Sequence, residues 1–386
     1  MDISTIDLFL EDRHAQLATE IDAFAEHSIG TLLHPHDDDS ARLQARQILD
    51  LLGSAGWSRY TVPDSVNSVE ALDLRACCLI REALAGASSL ADAVFALQCL
   101  GSLPIALEGS DLLRSQWLPK VADGRAMAAF AMTEPEAGSD VGAIETRAES
   151  DGDGYVLNGR KILISNAGLA DFYTVFAKTD SDAGSRGLSA FVVPAETPGL
   201  EFAGAQVMSE PHPLGEIRFR ACRVPAGALL GSEGDGFKLG MRTLDRLRTT
   251  VAAAACGMAN RALAEALEHA RQRQQFGRKL ADFQLVQEKL ARMATDLTAA
   301  RLLVYRAASE ADLGADRVTM ESAMAKAFAT EAAQRIVDDA VQIIGGRGVL
   351  ADHPVDRLYR AVRALRIYEG TTEMQHLVIA RELLKG

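Results

Sequence analysis

From Gly236 to the end of this 386-residue chain, apolar residues recur three and four positions apart over long stretches. FQLVQEKLARMATDLTAARLLVYRAASEADLG keeps that spacing for some thirty residues, SAMAKAFATEAAQRIVDDAVQII for more than twenty, and residues 249–275 are rich in Ala. Helices this long carry an apolar stripe that must be covered along its whole length. The economical solution is an antiparallel helical bundle, predicted here over 236–386.

Two other textures precede it. Residues 1–123 read as helices: IDLFLEDRHAQLATEIDAFAEH, then SARLQARQILDLLGSAGW, two more over 69–107 starting near Val69, and a short one over 111–121. Residues 124–235 hold short β-rich runs (GYVLNGRKILIS, DFYTVFAKTD, RGLSAFVVPAE, EIRFRACRVP) split by Gly, Asn, Asp and Pro, which predicts an antiparallel sheet or small barrel. The expected layout is a mainly α chain with a central β domain.

Composition excludes some partners. A net charge of −13 argues against nucleic acid or an anionic membrane as main ligand. The five cysteines form no CxxC pair, sit in apolar runs and read as reduced. MDISTIDLFLEDRH lacks the basic and apolar regions of a leader, and no run is expected to reach the roughly 18 apolar residues of a membrane span, so a cytoplasmic location is expected. HPHDDDS has too few ligands at any metal spacing and reads as an interhelical link, with no metal expected.

Five stretches carry candidate chemistry. AMTEPEAGSD (131–140) is a turn entered from a strand, offering amides and the hydroxyls of Thr133 and Ser139. In NGRKILISNAG (158–168), Asn-Gly suggests a hairpin turn and Ser165 ends the returning strand. RQRQQFGRKLADFQ (271–284) clusters Arg271, Arg273, Arg278 and Lys279 near a helix end expected at Phe276-Gly277, suited to a diphosphate or to a helix C-terminus. QIIGGRGVL (342–350) reads as a C-cap or a close approach to phosphate, not as a dinucleotide fingerprint. In RIYEGTTEMQ (366–375), Glu369 precedes a helix for which Thr372 and Gln375 have capping-box spacing.

The order and separation of these stretches closely resemble the acyl-CoA dehydrogenase family over nearly the whole chain. M-T-E-P-x-A-G-S-D is matched by 132–140 and Y-E-G-T-[ST]-E-[IM]-Q by 368–375. The resemblance implies an N-terminal helical domain (1–123), a middle β domain (124–235) and a C-terminal four-helix bundle (236–386). It also implies FAD bound between β domain and bundle, usually in a homotetramer, though a homodimer stays open.

The implied reaction is α,β-dehydrogenation of an acyl thioester, with Glu369 as the base that removes the α proton. Two donors would hold the thioester oxygen: the backbone N–H of Glu369 and a ribityl hydroxyl of the cofactor. Some relatives place the base on the first bundle helix, but the matching residue, Leu247, cannot take a proton. Implied cofactor contacts are Phe130, Met132, Thr133, Gly138, Ser139, Leu163, Ser165, Arg273, Phe276, Gln342, Gly345, Gly346, Thr371 and Glu373. Implied substrate contacts are Ser139, Asp245, Arg248 and Gly370.

Many relatives carry Trp where this chain has Leu163, which removes ring stacking worth on the order of 1 kcal/mol. The expected redox partner is an electron-transfer flavoprotein. Alternatives are an acyl-carrier-protein-linked dehydrogenase, an acyl-CoA oxidase and a non-catalytic flavoprotein. The acyl pocket floor is expected from 95–104 and 247–251, with Phe95, Leu97 and Leu100 as apolar candidates.

Overall fold

A computed structural model of the chain describes residues 1–63, 72–315 and 317–385. The first long helices are α1 (Asp12–Phe24), α2 (Asp38–Ser54), α3 (Leu74–Ala87), α4 (Ser89–Glu108) and α5 (Asp111–Ala122). The helix start expected near Val69 lies outside the described residues. HPHDDDS is a helix start: Asp37 caps α2 by accepting the Ser40 backbone N–H at 2.9 Å.

Eight strands follow: β1 (Ala128–Ala131), β2 (Arg147–Ser150), β3 (Gly154–Ser165), β4 (Phe172–Lys178), β5 (Leu188–Pro194), β6 (Leu200–Ala205), β7 (Leu214–Pro225) and β8 (Leu229–Leu230). Then come α6 (Gly236–Gln272), β9 (Gln274–Gln275), β10 (Arg278–Lys279), α7 (Gln284–Asp312), α8 (Thr319–Ile344), α9 (Pro354–Leu365) and α10 (Thr372–Leu383).

These elements form two compact units. One comprises Met1–Leu32, Leu74–Asp92 and Asp245–Gly386, the other Leu33–Asp73 and Ala93–Leu244. In the first, here the helical unit, α8 packs against α7, α9 and α10, and α3 packs against α1 and α7. Gly257 lets α6 meet α3 closely: a Cβ there would run into the Glu82 backbone carbonyl. All five cysteines are free and buried.

In the second, the sheet unit, strand order is β6-β7-β3-β2-β4-β5-β8, with β1 beside β4. The sheet is mostly antiparallel as expected, but β1 and β2 each run parallel to β4. Its core includes Leu157, Tyr173, Val175, Phe191, Val193, Ile217 and Phe219, alternating inward as period-2 strands require.

Three local expectations are corrected. Asn158-Gly159 is not a hairpin turn. The strand runs through it from Gly154 to Ser165, with a register shift against β7 between Leu157 and Gly159. Asn158 Oδ1 accepts the Ala221 N–H at 2.8 Å, and Gly159 has no Cβ to strike Thr146. A bulge with these partners outcompetes the turn.

The helix before the basic cluster ends at Gln272, earlier than Phe276-Gly277. Those two residues, at φ +52° and +76°, are the tip of the β9–β10 hairpin. Finally, α4 is long and apolar enough, by length and composition alone, to span a bilayer, against the expectation that no run is. It is mostly buried within the protein and carries Asp92, Gln98 and Ser102.

Candidate active site

The helical unit places Glu369 in a turn between α9 and α10. Glu369 has φ +53° and Gly370 φ +92°, both in the left-handed region. Helix α10 is capped by Thr371, whose hydroxyl accepts the Met374 N–H at 3.3 Å, and not by Thr372 as its spacing to Gln375 suggested. The left-handed pair brings Thr371 into the extended conformation a cap requires. That frees Thr372 to donate to Glu331 Oε1 at 2.7 Å, and the Gln375 amide to donate to the carbonyls of Glu369 (3.3 Å) and Gly370 (2.9 Å).

Further buried groups converge on the turn. Arg248 donates through Nε to the Glu369 carbonyl at 3.0 Å and through Nη1 to Asp245 at 2.5 Å. Asp245 also accepts from Thr319 at 3.0 Å. The structure thus brings together three residues expected at the substrate, Asp245, Arg248 and Gly370, with Glu369. Lys326 donates to the Gly370 carbonyl at 2.6 Å. Arg81 forks onto Asp92 at 2.7 and 2.9 Å and donates to Thr250 at 2.8 Å. Leu247 is buried.

Glu369 Oε2 is withdrawn from solvent and has no hydrogen-bond partner among the described residues. Burial raises the pKa of this carboxyl above its usual value. Arg81, Lys326 and Arg248 pull against that rise, and Asp92 adds to it. The result is a desolvated acid aimed by a strained turn with one oxygen unbound, the condition expected of a proton-transfer group.

The sheet unit positions a second set. The turn after β1 is tied to β3 through the Ile162 N–H, which donates to the Thr133 carbonyl at 3.0 Å. Fully buried Lys161 donates to the Met132 carbonyl at 3.0 Å and to Glu134 at 2.7 Å. Glu134 also accepts the backbone N–H groups of Glu145 and Thr146. Phe130 packs on Phe176 with ring centroids 4.9 Å apart. Gly138 and Ser139 lie exposed on the turn.

Leu163 sits at φ +55°, its side chain 53% exposed, and its N–H donates to Gln206 at 2.6 Å. Ser165 Oγ lies 2.7 Å from His212 Nε2. Burial pushes His212 down to about 4, so the ring is neutral at ordinary pH. Sequence reasoning missed Glu134, Lys161 and His212. Lys161 had a legible signal, since the alternation of β3 turns it inward, and an inward lysine needs an acid partner.

The remaining candidates lie in the helical unit. Phe276 is 92% exposed at the hairpin tip. Arg347 and Arg273 place positive charge around His269, whose own pKa is lowered by burial and then by these two guanidinium groups. Gly345 ends α8 at φ +70°, and a Cβ added to Gly345 or Gly346 would meet nothing within 4 Å. Gln342 is exposed beside them. Open glycine backbone and gathered cations fit a diphosphate. Thr371 caps α10, and exposed Glu373 is held below its usual range by its own backbone N–H and by Thr371.

Sequence profiles of the acyl-CoA dehydrogenase N-terminal, middle and C-terminal domains match residues 11–125, 129–222 and 234–384. The chain belongs to the acyl-CoA dehydrogenase family. It is 38% identical to the probable acyl-CoA dehydrogenase fadE25 of Mycobacterium leprae, over 98% of this chain and 97% of that one. It is 37% identical to the caffeyl-CoA reductase–Etf complex subunit CarC of Acetobacterium woodii, over 94% and 96%. The butyryl-CoA dehydrogenase structure from Megasphaera elsdenii superposes over the full length of both chains, with a TM-score of 0.90 at 33% identity. The expected succession of helical, β and helical domains is therefore that of the family, and the chain is a flavin-dependent oxidoreductase.

Proposed function

We propose that this chain catalyses FAD-dependent α,β-dehydrogenation of an acyl-CoA thioester, with Glu369 as the base. The observation that carries the reading is the buried, unbound Oε2 of Glu369 on a left-handed turn. A thioester α proton is a poor acid, so the base must be desolvated and close. Glu369 is ready for this because burial raises its affinity for a proton while nearby cations keep the ionised form accessible.

The backbone N–H of Glu369 is assigned to the thioester oxygen. The Asp245–Arg248 pair and Gly370 are assigned to the substrate arm.

FAD, when bound, supplies the hydride acceptor for the β carbon. The sheet unit would offer Phe130, Met132, Thr133, Gly138, Leu163 and Ser165 to the ring, the Ser165 hydroxyl being held by neutral His212. For the diphosphate and adenosine, the helical unit offers Arg273, Phe276, Gln342, Gly345, Gly346, Thr371 and Glu373, from the same chain or from a second copy in a homotetramer. The likeness to a subunit of a reductase–Etf complex supports an electron-transfer flavoprotein as redox partner. It also supports the reverse direction as a second reading, because a carboxyl that takes the α proton can return it.

The test is a panel of acyl-CoA thioesters with a dye acceptor, run beside Glu369→Gln and in reverse with enoyl-CoA and reduced dye. Turnover of a saturated thioester that Glu369→Gln lowers at least ~10²-fold supports the reading. Full activity in that variant ends it.

A further inference from the structure

The turn that carries Glu369 holds two consecutive residues in left-handed backbone, which for a glutamate persists only where its surroundings over-determine it. Three buried side chains do so. Arg248 and Gln375 bind the Glu369 carbonyl, and Gln375 and Lys326 bind that of Gly370. Arg248 and Gln375 are neighbours of the turn or of its substrate pair.

Lys326 is different. It projects from the first half of α8, is 0% exposed, and among the described residues its side chain makes one hydrogen bond, to a neutral carbonyl. Among the described residues, the carboxylates that act on its ammonium, Glu369, Glu331 and Glu373, do so through space and not through a hydrogen bond. A buried ammonium with one neutral partner is a poor way to stabilise a core, and a methionine would fill the space at lower cost.

The charges around it show what it does. Arg81 and Arg248, the other cations acting on Glu369, are bound directly to Asp92 and Asp245, so much of their field is cancelled. Lys326 faces Glu369 with no counter-ion of its own in contact.

We propose that Lys326 is a positioning residue for Glu369. Its ammonium clamps the Gly370 carbonyl to fix the left-handed turn, and it sets an uncancelled positive charge beside the carboxylate without bonding to it. A direct ion pair would hold Glu369 ionised and block its oxygen. A charge one residue away favours ionisation and leaves the oxygen free for the substrate. Burial draws Lys326 down to about 8, with Glu369 opposing that fall, Arg248 adding to it, and Glu331 and Glu373 opposing it. The groups facing Glu369 are Arg81, Lys326, Arg248 and Asp92.

This inference rests on the reading of Glu369 as the base. The test is rapid-mixing reduction of the flavin-loaded enzyme by butyryl-CoA from about pH 5 to 9, with Lys326→Met, Lys326→Gln, Lys326→Arg and Glu369→Gln side by side. Lys326→Met should slow reduction about tenfold and move the acidic limb of the profile up by about one pH unit. Lys326→Gln keeps a donor for Gly370 but no charge, so the limb stays raised while part of the rate returns. Lys326→Arg keeps the charge and restores the limb.

Limbs at the wild-type position in Met and Gln, or an Arg limb displaced as far as that of Met, overturn the proposal. So does a lower melting temperature with an unmoved limb, which is what a merely structural lysine gives. Should Lys326→Met not fold, Gln and Arg decide it alone. Activity retained by Glu369→Gln instead takes down the base itself. Activity lost there with no Lys326 effect takes down only the lysine's role.

Discussion

Two glutamates, one in each unit, withdraw carboxylate oxygen from solvent and have opposite surroundings. Glu134 in the sheet unit accepts hydrogen bonds from Lys161, Glu145 and Thr146, which leave both carboxylate oxygens engaged. Burial alone would raise its pKa, but the Lys161 charge and these bonds outweigh it and hold the group below its usual range. Glu369 in the helical unit is pushed above its usual range, with one oxygen unbound. The protein treats one acid as a fixed strut and keeps the other poised to take a proton. Burial is common to both; what separates them is whether the surroundings satisfy the charged form.

The largest effect that can break this comparison is on stability. Glu134→Gln leaves the Lys161 ammonium buried without its counter-ion and should cost about 3 kcal/mol, read by chemical denaturation. Adding Lys161→Met should recover much of that loss. If the single variant is as stable as the parent, Glu134 is no strut.

Next comes Glu369→Gln, expected to lower turnover at least ~10²-fold with the fold intact. In the sheet unit, Leu163→Trp should tighten FAD retention by roughly 1 kcal/mol, about fivefold in dissociation constant, because a ring can stack where a leucine cannot. Equal retention by both proteins would mean that stacking at this exposed, left-handed position contributes nothing.

The smallest effect is also the sharpest, because the two acids respond to pH with opposite sign. Glu369 has a raised folded pKa, so its contribution to stability is fully present below about pH 4.3 and is lost as pH rises through the folded value. Glu369→Gln should therefore melt on the order of 2 °C higher at neutral pH and match the parent near pH 4. Glu134 has a lowered pKa, so its stabilisation is present at neutral pH and is lost as pH falls through the folded value. The penalty of Glu134→Gln should shrink in acid. Parallel pH trends for the two variants would contradict the assignment.

Much of this was legible beforehand. The long 3.6-residue periodicities of α7 and α8 and the alternating runs of the sheet could be read directly, because each pattern suits only one way of burying its apolar face. The two long motifs pointed to Glu369 and to the turn at Met132. What failed was local and competitive. Asn158-Gly159 has strong turn chemistry, yet strand pairing on both sides overrides it. Thr371 and Thr372 are both good caps, and only the backbone of the residues before them selects one.

The main helices and strands, the family, and the acid before the last helix could all be read from side-chain period and short contiguous patterns. Which buried charges are answered and which are not depends on packing between segments far apart in the chain. Lys326 comes 43 residues before Glu369, and Lys161 comes 27 after Glu134. No local pattern joins either pair; packing brings one into a direct ion pair and keeps the other one carbonyl away from it. A charge in a low-dielectric interior interacts with what lies within a few ångströms, whatever its distance along the chain.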